Sequence, residues 1–406
     1  IPKAKKNYSV SGRLRQFYSL MRREFLSIIR NPYFIAIMIT ALVMLSVNAG
    51  QIGKIYGTTT FPVTYKVTEM LGNTFYLFMI IIITFYAGEL VWRERDHRLN
   101  GIIHTMPLPN WILYSSKLTA LSLLGLVLMA IVMIFGMFVQ IFKGYFSFQA
   151  GLYLSELGIL YIDYLLLAVL AVAIHTLVNN KYVGHFIMVI YFILDLFMFQ
   201  FGLEHNLYKY ASDPGIRYSA MNGYGHFVGP FLIYKAYWAS LAVLLGIVSN
   251  LFWIRGSESN WKIRVRQMRH RLSLPAKLGI AGTLIVFLFL GGLIFYNTNV
   301  LNDFSTTKES RQRRADYEKQ YSQYEKLVQP RITDVNVNLD IYPERRDFEF
   351  KGYYLLKNKS DQPIDTIIVS QDSRTTIRKM NLDRIAQLVQ KDEENGLYMY
   401  SLKQAL

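Results

Sequence analysis

The sequence predicts a mainly α membrane protein with seven spanning helices, followed by an extracytoplasmic antiparallel β-sandwich fragment. Three observations lead there. Seven apolar runs, each about the 20 residues that cross roughly 30 Å of hydrocarbon, occupy Pro32–Ala49, Leu71–Val91, Leu113–Ile141, Leu152–Val178, Val183–Phe201, Tyr234–Ile254 and Leu278–Tyr296. Lys and Arg crowd alternate loops between them. After the seventh run, Val335, Val337, Leu339 and Ile341 alternate with Asn336, Asn338, Asp340 and Tyr342, a period of two that gives a strand one apolar and one polar face.

Composition agrees with two regimes in one chain. Of 406 residues, 52% are hydrophobic and 15% aromatic. Cysteine is absent, which excludes disulfide stapling and thiolate chemistry. The formal charge of +16 is spread along loops instead of gathered on one folded face, so nucleic acid is not the expected partner. The chain opens on Ile without the apolar stretch of a secretory signal and closes inside a strand-like pattern. That is the expectation for an interior fragment of a longer protein.

Topology follows from the cations. Lys3, Lys5, Lys6, Arg13, Arg15, Arg22, Arg23 and Arg30 precede the first span with Glu24 as the lone acid, and Arg255, Lys262, Arg264, Arg266, Arg269, Arg271 and Lys277 follow the sixth with Glu258 alone opposing. Both segments are expected on the cytoplasmic side. Arg93, Arg95, Arg98 and Lys181 fall on that side too, and seven crossings carry the terminal strands outside.

Leu14, Phe17, Met21, Phe25 and Ile28, at spacings of 3, 4, 4 and 3, predict an amphipathic helix over Arg13–Arg30 suited to the headgroup region, ended by Asn31-Pro32. Between the second and third spans, "GELVWRERDHRLNGIIHTMPLPNWILYSSK" holds dense charge, then Leu99, Ile102, Ile103 and Met106, then two prolines that stop any helix. Such an amphipathic segment either docks a soluble partner or lies on the bilayer. Inside the spans, Glu156, Lys235 and Glu89 lie close enough to an interface to snorkel. Asp163 and Asp195 are deeper, where the expectation is either a translocation or helix-packing role or a protonated or paired structural acid. His97 and His104, and His175 and His185, read as lone polar residues. None of the seven histidines fits H-E-x-x-H, and "GQIGKIYGTTT" lacks the order of a phosphate-wrapping loop.

Beyond the seventh span, Thr306 and Glu309 match a capping box, and Tyr317, Tyr321, Tyr324 and Leu327 mark a short amphipathic helix that Pro330 ends. The tyrosine stripe is expected to pack on its neighbouring domain. Val335–Ile341, Phe348–Leu356, Ile364–Val369 and Leu397–Leu402 then read as strands.

The basic helix, the two spans, the quoted loop and the four further spans resemble one six-helix half of an ABC-2 type ABC transporter permease, here with a seventh linking helix. The resemblance implies that the loop couples to a separate ATP-binding subunit through Arg93, Glu94, Arg95, His97, Arg98 and Leu99. It also implies an intramembrane interface at Glu89 and Lys117, ATP and magnesium held by the partner, and a second six-helix half. The stretch "QPRITDVNVNLDIYPERRDFEFKGYYLLKNKSDQPIDTIIV" resembles the opening of the N-terminal β-domain of M1-family aminopeptidases. With "YWASLAVLLGIVSNLFWIRG", "FYNTNVLNDF" and "YEKQY", the whole chain resembles bacterial fusions of such a permease to such a peptidase. The implied domains are an elbow helix at 1–31, the permease half at 32–254, a basic loop at 255–277, the seventh helix at 278–296, a tether at 297–330 and an incomplete β-domain at 331–406. The implied setting is the bacterial inner membrane, with lipid and a peptide or protein substrate as further partners. No catalytic or metal-ligating residue is assigned in this chain, and zinc would belong to a domain downstream. The rivals are a membrane-anchored aminopeptidase whose permease part is only an anchor, and a non-catalytic envelope scaffold.

Overall fold

A computed structural model describes residues 9–52, 54–55, 58–103, 105–255, 260–345, 347–372 and 375–406. Lys3, Lys5, Lys6, His104 and Glu258 lie outside the described residues. The chain divides into two compact units, with the boundary between Thr306 and Thr307.

The first unit is helical. α1 (Val10–Ile29) starts where Ser9 accepts a hydrogen bond from the Gly12 amide, 3.1 Å. Asn31 ends that direction and starts the next. Its side chain takes the Tyr33 amide at 2.9 Å, and Pro32 fills the first position of α2 (Pro32–Ala49), where a missing N–H costs nothing. A short antiparallel pair, β1 (Lys54–Ile55) with β2 (Thr58–Thr59), precedes α3 (Thr64–Asp96). The short α4 (Asn100–Ile103) precedes α5 (Asn110–Phe142), α6 (Ala150–Leu177), α7 (Lys181–Phe197) and α8 (Val228–Phe252). α9 (Trp261–Arg271) lies before α10 (Leu274–Phe295). Seven of these helices, with their terminal turns, are long and apolar enough to cross a membrane, and they coincide with the seven predicted runs. α3 reaches further than predicted, from Thr64, because Thr68 and neighbouring polar residues bond within the helix or to other buried groups.

α3 is the central helix, packed by α2, α5, α6 and α7. Leu71, Phe75, Met79, Ile82, Ile83, Tyr86 and Leu90 are all buried along it. Close approach of helices in a bilayer favours small residues, and α5 meets α6 in that way at Gly125. A Cβ there would stand 2.5 Å from two ring carbons of Tyr164, whose hydroxyl donates to the Leu121 carbonyl at 2.8 Å. α10 is the opposite case. Of its residues only Ile294 is buried within the chain, and it leans on α8 through Phe287 stacked on Tyr237, 4.5 Å between ring centroids.

The second unit begins with α11 (Thr307–Tyr321) and continues as two small antiparallel sheets. β3 (Arg331–Tyr342) pairs with β4 (Asp347–Lys357) as a long ribbon, Leu339 opposite Phe350 and Val335 opposite Tyr354, with both faces exposed. β5 (Thr366–Ser370), β6 (Ala386–Asp392) and β7 (Leu397–Leu402) form the other sheet in the order β5-β7-β6. β6 was not foreseen. Its partner turn carries Gly396 at φ 64°, with the Asn395 amide bonded to Asp392 Oδ1 at 3.0 Å. Of the predicted tyrosine stripe, Tyr321 is the buried member, its hydroxyl donating to Asp392 Oδ2 at 2.5 Å.

Candidate functional site

One end of the helical unit gathers α1, the α3–α5 loop, the α6–α7 turn and α9. We call it the basic face. α1 lies on α5 with Met21, Glu24 and Ile28 turned inward, a 3 and 4 spacing that keeps all three on one side. Phe17 meets Trp111 at 6.3 Å between ring centroids. The stripe therefore carries an acid into a covered position: Glu24 is 1% exposed.

That acid is answered from two other helices. Arg93, near the end of α3, places Nη2 2.7 Å from Glu24 Oε2 and donates from Nη1 to Ser27 Oγ at 2.5 Å. Lys117 of α5, 1% exposed, sits 2.5 Å from Glu94 Oε1 and 3.8 Å from Glu24 Oε1, and donates to the Leu90 carbonyl at 2.6 Å. Arg23 reaches Glu24 from the surface at 3.3 Å. Two buried carboxylates, the buried Lys117 and the half-buried Arg93 thus form one network across α1, α3 and α5. Burying charges is tolerated only when they are paired and bonded, which this arrangement supplies.

The predicted coupling residues divide. Arg93 and Glu94 turn into the network. Arg95 stacks on Trp92, 4.6 Å from the ring centroid. His97, Arg98 and Leu99 are exposed, as are Ile102 and Met106 beyond them. Arg98 has φ 56°, a left-handed conformation that turns the chain out of α3, and the Leu99 amide returns to the Glu94 carbonyl at 2.7 Å. The apolar residues of the turn are presented outward next to the network.

Beside it, Lys181 bridges Glu89 at 2.6 Å and Asp96 at 2.9 Å. His175 and His185 are not the lone residues expected. Their rings pack at 4.7 Å between centroids in space that Gly88 and Gly184 leave open, since a Cβ at either would fall within 2.4 Å of an imidazole atom. Among the described residues no group of three or more His, Asp or Glu is placed to hold a metal ion.

α9 closes the basic face. Asn260 caps it by accepting from the Lys262 amide at 2.9 Å. Arg264, 2% exposed, donates to the Thr176 and Leu177 carbonyls at 2.6 and 2.7 Å and to Asn179 Oδ1 at 2.5 Å. Arg271 donates to the Trp253 and Leu251 carbonyls at 2.5 and 3.1 Å. These are the last carbonyls of α6 and α8, where cations offset the helix dipole. Burial, with Arg95 nearby, pulls the Arg264 guanidinium down to about 10, and burial lowers Arg255 and Arg271 as well. Arg255 bonds the Leu108 carbonyl in the α3–α5 loop.

At the opposite end, Lys235 does not snorkel. It is 4% exposed because it bridges Asp163 and Asp213, the latter at 2.6 Å, and donates to the Ala211 carbonyl at 2.6 Å. Trp238 Nε1 donates to the Ser212 carbonyl at 2.9 Å, so the loop before α8 is fastened to α6 and α8. Asp195 pairs with Lys209 at 2.9 Å. Glu156 accepts from the Tyr224 hydroxyl at 3.0 Å.

Sequence reasoning missed Glu24, Asp213, Arg264 and Arg271 as site residues. Glu24 had a signal: it is the single acid of its segment and falls in step with Met21 and Ile28. Neither the curated proteins nor the solved structures compared with the chain gave a match. Residues 20–195, from within α1 into α7, match the family model described as ABC-2 family transporter protein, which makes this stretch similar to an ABC-2 family transporter membrane domain and the chain a multi-pass membrane protein.

Proposed function

We propose that the chain is one half of an ABC exporter-type permease that takes its energy from a separate ATP-binding subunit. The observation that carries this reading is the turn after α3. It presents Leu99, Ile102 and Met106 to solvent beside His97 and Arg98, while the residues just before it are locked through Arg93 and Glu94 to α1 and α5. A partner seated on the turn would push on charges that three helices share. Docking is therefore proposed for His97, Arg98 and Leu99, and transmission for Arg93, Glu94 and Lys117. A second six-helix half completes the proposed pore, and the basic face is proposed as cytoplasmic on the positive-inside argument, in a bacterial inner membrane.

The test is co-purification in mild detergent. Leu99→Glu with Ile102→Glu adds charge to exposed side chains and spares the bundle, so the expected result is a folded protein that no longer brings down an ABC ATPase or stimulates its hydrolysis. Undiminished recovery of the ATPase with this variant overturns the docking assignment.

For the second unit, the proposal is the opening of an M1 aminopeptidase-like β-domain that handles or guides a peptide or protein substrate. It is supported by the likeness of residues 329–369 to that domain and by antiparallel pairing of β3 with β4. Zinc and peptidase chemistry would lie downstream. A wild-type protein that recovers no ATPase and carries H-E-x-x-H further along its gene would favour the anchored peptidase, and a degenerate motif the scaffold.

A further inference from the structure

α9 has two sides of different character. Its sequence, WKIRVRQMRHR, contains five Lys or Arg and no acid. Arg264 and Arg271 are seven residues apart, about two turns, and so share one side; that side is bonded to the ends of α6 and α8. At 100° per residue the opposite side carries Lys262, Arg266 and Arg269, spaced 4 and 3, all exposed. Because both inner arginines are tied down, α9 cannot roll, and the direction of its outer stripe is fixed.

Its depth is fixed as well. Trp261 stacks on Phe252, in the last turn of α8, with ring centroids 5.4 Å apart, and α10 begins at Leu274, just past the last residue of α9. One candidate span thus ends against the first residue of α9 and the next begins three residues past its last, which holds α9 at the level where hydrocarbon gives way to headgroups. Trp261 and Ile263 remain exposed, one on either flank of the cationic stripe, a pairing of apolar and basic side chains of the kind that seats helices on charged bilayers.

We infer that the outer side of α9 is a docking surface for the anionic phospholipid headgroups of the leaflet on the basic face. Lys262, Arg266 and Arg269 bind the phosphates, and Trp261 and Ile263 enter the acyl boundary. Headgroup binding outside and carbonyl clamping inside act on one rigid helix, so lipid charge is felt at the ends of α6 and α8. This inference stands apart from the identity of any ATPase partner.

The absence of cysteine makes the test direct. The full chain with Ile263→Cys carries a single environment-sensitive fluorophore and is reconstituted in phosphatidylcholine vesicles containing brominated phosphatidylglycerol or an equal fraction of brominated phosphatidylcholine. The anionic quencher is expected to win, and 0.5 M NaCl to erase the difference. One basic residue near an anionic surface is worth about fivefold in preference, so Lys262→Gln/Arg266→Gln/Arg269→Gln should bring the two quenchers to within about twofold of each other. These three residues are exposed, and an unchanged melting curve of the triple variant checks the fold. Equal quenching of the wild-type stripe by both lipids overturns the inference. So does quenching by aqueous iodide alone, which would give the stripe to an acidic protein surface, and so does relief of the anionic preference by inorganic phosphate, which would give it to a soluble anion.

Discussion

Replacement of Lys117 by methionine keeps the length of the side chain and removes its charge. In the wild type that charge stands 2.5 Å from Glu94 and 3.8 Å from Glu24, at 1% exposure. Lys117→Met takes from the buried Glu94 its one direct ion-pair partner and leaves it only the weaker fields of Arg93 and Arg95, while Glu24 keeps Arg93 at 2.7 Å. Removing one partner of a buried pair costs about 3–5 kcal/mol, whereas replacing both with apolar residues of similar size is neutral or stabilising. The Leu90 carbonyl also loses its 2.6 Å donor, worth about 1 kcal/mol more. Lys117→Met is thus expected to lower stability by about 4–6 kcal/mol, and Lys117→Met/Glu94→Leu to recover most of the loss. The assay is reversible denaturant unfolding in mixed micelles for wild type, both single variants and the double, read as a double-mutant cycle. A single variant within about 1 kcal/mol of wild type, or a double whose cost is the sum of the singles, would refute the claim that these charges are buried and mutually dependent. ATPase stimulation measured on the double variant then separates structure from transmission: a folded double with lost stimulation assigns the charges to coupling.

Lys235→Met should free the loop before α8, since Asp163, Asp213 and the Ala211 carbonyl all lose their shared cation; faster limited proteolysis within residues 203–224, with the bundle intact, checks it. In the second unit, hydrogen bonds from Asn395 and Tyr321 hold the Asp392 carboxyl below its ordinary value of 3.8. Burial and Asp392 push the Tyr321 hydroxyl up to about 12. The lowered acid stabilises the fold above its unfolded value and loses that contribution as pH falls through the folded one; the raised phenol stabilises below 10 and loses it as pH rises toward about 12. Stability of this unit should therefore be flat between about pH 5 and 9 and decline on both sides, with Tyr321→Phe shrinking both declines in melts followed by circular dichroism, the raised Tyr400 hydroxyl keeping part of the alkaline one.

What could be read from sequence was whatever one element decides alone. The seven spans follow from apolar length, α1 from the spacing of Met21, Phe25 and Ile28, and β3 and β4 from alternation. The network could not be read, because Glu24, Arg93 and Lys117 meet only after α1 and α3 have both packed on α5. The burial of Lys235 could not be read for a related reason: its partner Asp213 lies in a loop with no periodicity to announce where it returns. His175 and His185 are brought together by Gly88 and Gly184, residues whose meaning is the absence of a side chain. β6 was hidden because Gln387, Gln390 and Lys391 break its alternation, although the Asn395-Gly396 turn implied a strand before it as well as after.

The contrast between α3 and α10 sets a design rule for this chain. α3 is gripped from several directions, so the fifteen buried positions along its 33 residues each have a required size. α10 touches its own chain along one narrow line, and for most of its length the demand on it is hydrophobic length alone. It is therefore the natural splice point: a foreign span of equal length that preserves the small residue at Gly291, whose Cβ would stand 3.1 Å from the Tyr237 ring, and a flat partner at Phe287 should serve in its place. The bundle on one side of that splice and the strands on the other could then be exchanged between proteins as separate parts.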